Sequence, residues 1–555
     1  MASGVERIKS ESAGMRGPIA MELDSAEARG GLSESAYTLL KFHGTYEQHD
    51  RDTATARKQA GEDKDWSFMV RVRMPAGRLT AAQWLALDAL AERHADGTLK
   101  LTTRQGVQFH AIRRGNLRAA IAAVDAALLT TLAACGDVVR NVIASPAPIR
   151  NAIHLRLEAE ARRLSSALLP SNRAHHEIFL GEEAAGEEAP DPLYGPSYLP
   201  RKFKIALAHP GDNSADLLAN DLGFLALTEG ERVTGWIVTL GGGMGMTHIK
   251  PGTFPRLADP VALIGPDEVE EVARAAVRLS RDHGDRTDRK HARLKYLLAE
   301  RGAAWARETL SADLGRRLAP PPPLPRLHMP EWLGWQEQGD GRFWLGLPVA
   351  AGRVAGSLRA ALSEVMRRFG ANPIVTPQQD LLLSDIRPAD RPAIERLLAA
   401  AGVVHVDTLT PLARWTLACT ALPSCGQALA EGERARDDIL AQVQSAMDAA
   451  GVGDRRVSLR ITGCPNGCAR PYAGDIGVVG RAPGLYTLFV GGDFEGTRLS
   501  FPLRDKLPQT GIGAALAPLF AAWSATGAQA GFGDWCAAEG AERLRSLETV
   551  THEAA

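Results

Sequence analysis

Phe68-Met-Val-Arg-Val-Arg-Met-Pro-Ala-Gly-Arg78 recurs later in the chain, without a gap, as Phe343-Trp-Leu-Gly-Leu-Pro-Val-Ala-Ala-Gly-Arg353. Alternating apolar side chains predict a strand in each copy, and the stretch that follows has the period of an amphipathic helix. A second strand-like segment then repeats as well: Leu101-Thr-Thr-Arg-Gln-Gly-Val-Gln-Phe-His-Ala-Ile112 against Val375-Thr-Pro-Gln-Gln-Asp-Leu-Leu-Leu-Ser-Asp-Ile386. A weaker echo pairs Trp236-Ile-Val-Thr-Leu-Gly-Gly-Gly243 with Tyr486-Thr-Leu-Phe-Val-Gly-Gly492. The same order at nearly the same offset predicts a duplicated α+β chain. The proline run at 320–325 is a semi-rigid linker between the copies.

The chain has 555 residues, enough for several domains. Hydrophobic residues at 45% and charged residues at 23% exclude disordered and fibrous classes. Lys and Arg total 64 against 65 Asp and Glu, so the balance predicts neither a nucleic-acid partner nor a membrane-surface protein. The first residues show no apolar run of the signal-peptide kind. The longest apolar stretch, Ala119 to Gly136, carries Asp125 and is too weakly apolar to span a bilayer. A cytoplasmic location is expected.

The copies differ in charge. In the first, Arg71 and Arg73 alternate with Val70, Val72 and Met74, so a strand puts both guanidinium groups on one face. Lys100, Thr102 and Arg104 share a face of the next strand, whereas the second copy has Gly346, Pro348 and Gln378 in the places of Arg71, Arg73 and Arg104. Only 11 of the basic residues are lysines, and two of them, Lys202 and Lys204, flank Phe203 on a further expected strand. Arg286, Arg289, Arg293 and Lys295 follow at helical spacing. A solvated face explains any one such cluster. Several on neighbouring strands fit charge-assisted binding of carboxylates or small oxyanions better.

Six cysteines are far too few for a disulfide scaffold. Cys135 and Cys536 stand apart, and the other four form Cys419-x5-Cys425-x38-Cys464-x3-Cys468. Cys464 and Cys468 lie one helical turn apart, with Pro465 suited to the first position of a helix whose free amides stabilise thiolate charge. Structural zinc sites favour tighter first pairs. The spacing, with no nearby histidine, suits a four-thiolate iron–sulfur cluster better, and structural zinc remains the other reading.

These four cysteines, with Thr462-Gly-Cys-Pro-Asn-Gly-Cys468, resemble the signature of the sirohaem-dependent sulfite and nitrite reductases. Leu101-Thr-Thr-Arg-Gln-Gly-Val-Gln-Phe-His110 is similar to that family's sirohaem-binding strand. Glu6-Arg-Ile-Lys-Ser-Glu-Ser12, Phe42-His-Gly-Thr-Tyr-Glu-Gln-His-Asp-Arg-Asp52, Leu199-Pro-Arg-Lys-Phe-Lys204 and Arg286-Thr-Asp-Arg-Lys290 extend the likeness over nearly the whole chain, on the side of the assimilatory sulfite reductase hemoproteins.

The resemblance implies a [4Fe–4S] cluster on Cys419, Cys425, Cys464 and Cys468, with Cys468 also the axial ligand of a sirohaem. It implies that Arg71, Arg140, Lys202 and Lys204 surround the substrate. Lys100, Thr102, Arg104, Gln108, His110, Arg201, Arg293, Gln379 and Asn466 match positions that hold or line the macrocycle. The chain departs from the family at Thr103, Val139 and Arg293, where Asn, a polar residue and Lys are usual.

The implied fold is α+β, with a central ferredoxin-like pseudo-two-fold domain and two flanking α/β domains. Its expected segments are an N-terminal extended arm (1–63), a first ferredoxin-like half (64–128), a first sirohaem-binding domain (129–318), a linker (319–332), a second half (333–407) and a cluster-binding domain (408–555). The implied reaction is six-electron reduction of sulfite to sulfide in sulfate assimilation for cysteine biosynthesis, with nitrite reduction as the alternative. Leu240-Gly-Gly-Gly-Met-Gly245 is no convincing nucleotide fingerprint, so electrons are expected from a flavoprotein reductase component, fed by NADPH, or from a ferredoxin. Replacing Cys468 by Ser is expected to disturb the absorption and paramagnetic spectra of both cluster and haem, and replacing Cys135 by Ser neither. An unchanged haem spectrum in C468S removes the bridging role.

Overall fold

The computed structural model describes residues 2–25, 31–181, 189–247 and 250–553, side chains at 548–553 excepted. The chain forms two compact units: Met1–Gly242, Ala258–Arg326 and Pro330–Val404 make the first, and Gly243–Leu257, Leu327–Met329 and His405–Ala555 the second. In chain order the strands of the first copy are β1 (Thr45–His49), β2 (Trp66–Arg71), β3 (Leu99–Leu101), β4 (Val107–Ile112), β5 (Ile205–Ala208), β6 (Leu222–Glu229), β7 (Arg232–Leu240) and β8 (Asp259–Ile264). The second copy supplies β9 (Gly334–Glu337), β10 (Phe343–Leu347), β11 (Arg353–Val354), β12 (Asn372–Val375), β13 (Leu381–Ile386), β14 (Thr416–Ala418), β15 (Leu459–Thr462), β16 (Ile476–Ala482), β17 (Leu485–Val490) and β18 (Phe501–Pro508).

The first unit holds the two half-sheets, β1-β2-β4-β3-β11 and β12-β13-β10-β9. Each copy crosses into the other's sheet: Arg353 pairs with Lys100, and Arg78 bridges Ile374. The crossing turns are equivalent, with Ala76 and Ala351 at φ near +50° and Gly77 and Gly352 at +71° and +75°. A Cβ on Gly77 would stand 2.2 Å from the Val375 carbonyl, and one on Gly352 2.4 Å from that of Leu101. The Gln105 amide donates to the carbonyls of Ala76 and Val375, both at 3.1 Å. Gln379 donates to Ala351 at 2.9 Å and Leu101 at 3.4 Å. Each half thus clasps the other by the same contacts, which is why Ala-Gly-Arg is what the copies share at this turn. The helices Ala81–His94 and Gly356–Phe369 cover the sheets with Trp84, Leu87, Leu90, Leu362, Val365 and Met366.

The remaining sheets repeat a second pattern. In the first unit β5 runs parallel to β6, followed antiparallel by β7 and β8, and residues 139–143 run parallel beside 203–206. In the second unit β14, β15 and β16 are parallel and β17 and β18 antiparallel. A carboxylate ties each pair at the same place. Asp221 accepts from the Lys204 amide at 3.0 Å, and Asp475 accepts from the Ser458 amide at 2.9 Å.

Three expectations are corrected. Residues 1–63 are not an extended arm: they carry short helices, and Thr45–His49 pairs with β2 as the edge of the first sheet. The basic stretch 285–293 is not helical, because Asp285 and Asp288 bind amides two residues ahead and fold turns instead. Residues 463–470 also form turns rather than a helix, with Gly467 and Arg470 left-handed. Cys135 lies buried in a loop beyond the helix Leu117–Ala126. No described helix is long and apolar enough to cross a membrane.

Gly97 has φ +76° but meets nothing nearer than Arg359 Nη1 at 3.6 Å. Gly97→Ala should therefore cost about 1–2 kcal/mol of backbone strain. Gly77→Ala must in addition displace a backbone carbonyl and should lower the denaturation midpoint clearly further. Equal midpoints for the two variants contradict the clasp.

Candidate active site

The antiparallel register sets Arg71 opposite Gln108, Gln108 opposite Lys100 and Lys100 opposite Arg353. Directly opposed residues share a face, so this is one polar row across the sheet. With its amide oxygen turned towards Arg71, Gln108 accepts from Arg71 Nε at 3.0 Å and from Nη2. His110, two residues on from Gln108, lies 3.3 Å from the Gln48 side-chain oxygen. The Thr102 hydroxyl accepts the amides of Arg104 at 3.3 Å and Gly106 at 3.1 Å, which shapes the turn. Arg104 reaches Asn220, Asn141 and Ile205 at 2.6–3.0 Å. Arg73, expected to act beside Arg71, is spent on structure: it binds Ser165 and the carbonyls of Ala133 and Val139.

Phe203 is buried against the neighbouring strand, where its amide donates to Val138 and its carbonyl accepts from Arg140. Lys202 and Lys204 therefore leave on the opposite side. Arg293 forks onto Asp221 at 2.9–3.1 Å. Burial, reinforced by Arg104, Lys202 and Arg293, drives Lys204 well below the usual lysine range, with Asp221 acting against it. Burial and Arg293 likewise push Lys295 down to about 6.

Beside this group stands a second. Asp137, although burial acts the other way, is held far below the carboxylate range by Arg289, Lys9 and Arg201. Burial and the charge of Arg289 lower Lys41 to about 8. Burial raises Tyr46 against the pull of Arg140, Arg71 and Arg201. Arg201 feels both Asp137 and Arg293, so the two groups adjoin. The first unit thus gathers Arg71, Lys100, Arg104, Arg140, Arg201, Lys202, Lys204 and Arg293. Gln379 is spent on the clasp through its nitrogen, while its buried oxygen has no partner among the described residues.

In the second unit Cys419 follows β14, Cys425 lies in the next turn, and Cys464 and Cys468 lie in the turn after β15. The Gly463 amide donates to the Cys419 sulfur at 3.3 Å. Glycine is required at 463, where a Cβ would stand 2.5 Å from the Ala430 carbonyl. The Gly-rich run serves the same loop: Met246 donates to the Pro465 carbonyl at 3.0 Å, and a Cβ on Gly245 would press on the Asn466 carbonyl at 3.1 Å. Burial and the nearby Cys468 and Cys425 push Cys464 up to about 12, against hydrogen bonds from Asn466. Burial and the other three thiols raise Cys419 in the same way. The four sulfurs therefore face one volume. Four thiols within electrostatic reach of one another are the donor set of a four-iron cluster.

The model of the nitrite/sulfite reductase ferredoxin-like half domain matches residues 60–127 and 336–401, and that of the nitrite and sulphite reductase 4Fe-4S domain matches 160–318. The chain is 44% identical to the sulfite reductase (NADPH) hemoprotein beta-component of Myxococcus xanthus across 96% of each chain. The chain belongs to the nitrite and sulphite reductase family. It is also 39% identical to the sulfite reductase (ferredoxin) of Synechococcus elongatus, over 100% of this chain and 92% of that one. The solved structure of the Mycobacterium tuberculosis NirA protein matches with a TM-score of 0.75 at 25% identity, over 97% of this chain and 98% of that one. The segment 160–318 contains no cysteine, so the thiols belong to the other copy of this sheet pattern. The cofactors of this enzyme are a sirohaem and a [4Fe–4S] cluster, and the donor sets fit both. Buried cations call for a polyanion, and four facing thiols for a cluster.

Sequence reasoning missed Asp137 and Asp221, which hold the cations in place, and Tyr46. The repeat of Asn220-Asp-Leu-Gly223 in Gly474-Asp-Ile-Gly477 was an available signal for Asp221. Lys295, lowered to about 6, binds fewer protons folded than unfolded between about pH 6 and 10. Its contribution to stability therefore rises with pH across that window. In haem-free protein, the denaturation midpoint of the parent relative to Lys295→Met should climb from pH 7 to 9. A constant difference contradicts the assignment.

Proposed function

We propose that this chain reduces sulfite to sulfide with six electrons from a separate donor protein, in the cytoplasm, as part of sulfate assimilation. The observation that carries the reading is the buried cationic group around Lys204, which suits both a carboxylate-rich haem and an oxyanion. When bound, the two prosthetic groups supply the electron path and an iron that takes the substrate sulfur. Cys419, Cys425, Cys464 and Cys468 would hold the cluster, and Cys468, the exposed thiol of the four, would also ligate the haem iron. Lys100, Thr102, Arg104, Gln108, His110, Arg201, Arg293, Gln379 and Asn466 would grip or line the macrocycle.

Arg71, Arg140, Lys202 and Lys204 would orient the sulfite oxygens and stabilise their charge. Lys204 suits proton donation because burial lowers its pKa. Asp221 and Asp137 position these cations without touching substrate. The beta-component name of the Myxococcus xanthus relative supports an NADPH-fed flavoprotein as donor. The sulfite reductase names of the Myxococcus xanthus and Synechococcus elongatus relatives favour sulfite over nitrite as substrate. Steady-state rates on sulfite and nitrite with defined flavoprotein and ferredoxin donors test substrate and donor together.

Lys202→Met and Lys204→Met should retain both cofactors yet lose roughly 10²–10³ in sulfite turnover, the usual effect of removing one preorganised donor. Phe203→Leu, a packing change on the opposite face, should be mild. Two lysine variants that turn over sulfite at the parent rate with full cofactor loading overturn the anion-site assignment.

A further inference from the structure

In the repeated sheet pattern, Ile205 stands opposite Leu222 as Leu459 stands opposite Ile476. The loop from His209 to Ser214 therefore occupies the register in which the second copy has Gly463 to Cys468. It has no thiol. It carries instead His209 and Asp212, and His154 on the first turn of the helix Ala152–Ala167 meets them there. One ligand atom of each residue lies within 4.8 Å of those of the other two. The imidazole rings meet edge to face with centroids 5.0 Å apart.

The Nε2 atoms of both histidines are buried and have no hydrogen-bond partner among the described residues. His154 is 7% exposed and Asp212 1%. Buried polar atoms without partners are costly and call for an explanation. The surroundings are those of a ligand set. His154 Nδ1 donates to the Asn151 side-chain oxygen at 2.8 Å, which leaves the lone pair on Nε2. Asp212 is oriented by the Ser214 amide at 2.8 Å and by the Ser145 hydroxyl. Arg78 is the cation that opposes a metal here, and it is engaged by Glu158 at 3.2 Å.

We propose that His154, His209 and Asp212 form a second metal site, which takes a divalent cation of the zinc class and fastens the helix Ala152–Ala167 to the loop after β5. Two imidazoles and one carboxylate are a common zinc donor set, with a fourth position left for water. Side-chain rotations that close the trio by about an ångström bring bonds to about 2.0–2.2 Å. On binding, the His209 proton shifts to Nδ1, and the Gly211 contact there, already long at 3.2 Å, is given up. Where the second copy binds iron through thiols, the first would bind a single ion through nitrogen and oxygen.

The test uses the holoenzyme, stripped of loose metal by a chelator, equilibrated with zinc and passed through gel filtration. The parent should retain about one zinc ion per chain. His154→Gln and Asp212→Asn should each weaken zinc binding at least about 10-fold in chelator competition, with iron and labile sulfide unchanged. If His154→Gln fails to fold, Asp212→Asn carries the comparison. A parent that retains no zinc, or variants that hold it as tightly as the parent, overturns the proposal. Neither outcome touches the sulfite reading, which iron and sulfide contents report independently.

Discussion

Buried positive charge is the constraint on which the first unit is built. Lys202, Lys204, Arg104, Arg293 and Lys295 crowd around Asp221, while Arg289, Arg201 and Lys9 crowd around Asp137. Desolvated cations at such density oppose folding unless anions answer them. Two carboxylates answer in part, and in the proposed site a carboxylate-bearing macrocycle with an oxyanion substrate would answer the rest. The strands exist to deliver these groups. Phe203 anchors a segment whose lysines leave on the other side, and the row Arg71, Gln108, Lys100 is held straight by antiparallel register.

Duplication explains how one chain carries two different sites. The copies have kept what neither can change alone: the left-handed Ala-Gly turn, the glutamine clasp and the aspartate before the second parallel strand. They have diverged where chemistry is done. Lys204 stands in the register of Ser458, and the loop at His209 stands in that of the thiol loop at Cys464. Charge accumulated in one copy and thiols in the other.

Much of this was legible in the sequence because strands declare themselves by alternation. Alternation sets Arg71, Lys202 and Lys204 on their strand faces, and spacing groups the four cysteines. Spacing misled where a turn and a helix share a period. Cys464 and Cys468 suggest one helical turn, yet Gly467 goes left-handed and the loop is held by Gly463 and Asn466 instead. The basic residues after Asp285 fit a helix too, until two aspartates capture nearby amides. Asp137 is invisible in the sequence because a lone acid in a loop carries no periodic signal, and Asp221 shows only through its repeat as Asp475. Gln379 matches a pocket position, and only the fold shows that its amide nitrogen also ties the two halves together.

The most direct measurement is the iron and labile-sulfide content of the purified chain together with its visible spectrum. The account predicts a coloured protein with about five irons and about four labile sulfides per chain, one iron in a haem that shifts its bands when sulfite is added. A colourless protein with zinc on the four thiols contradicts it.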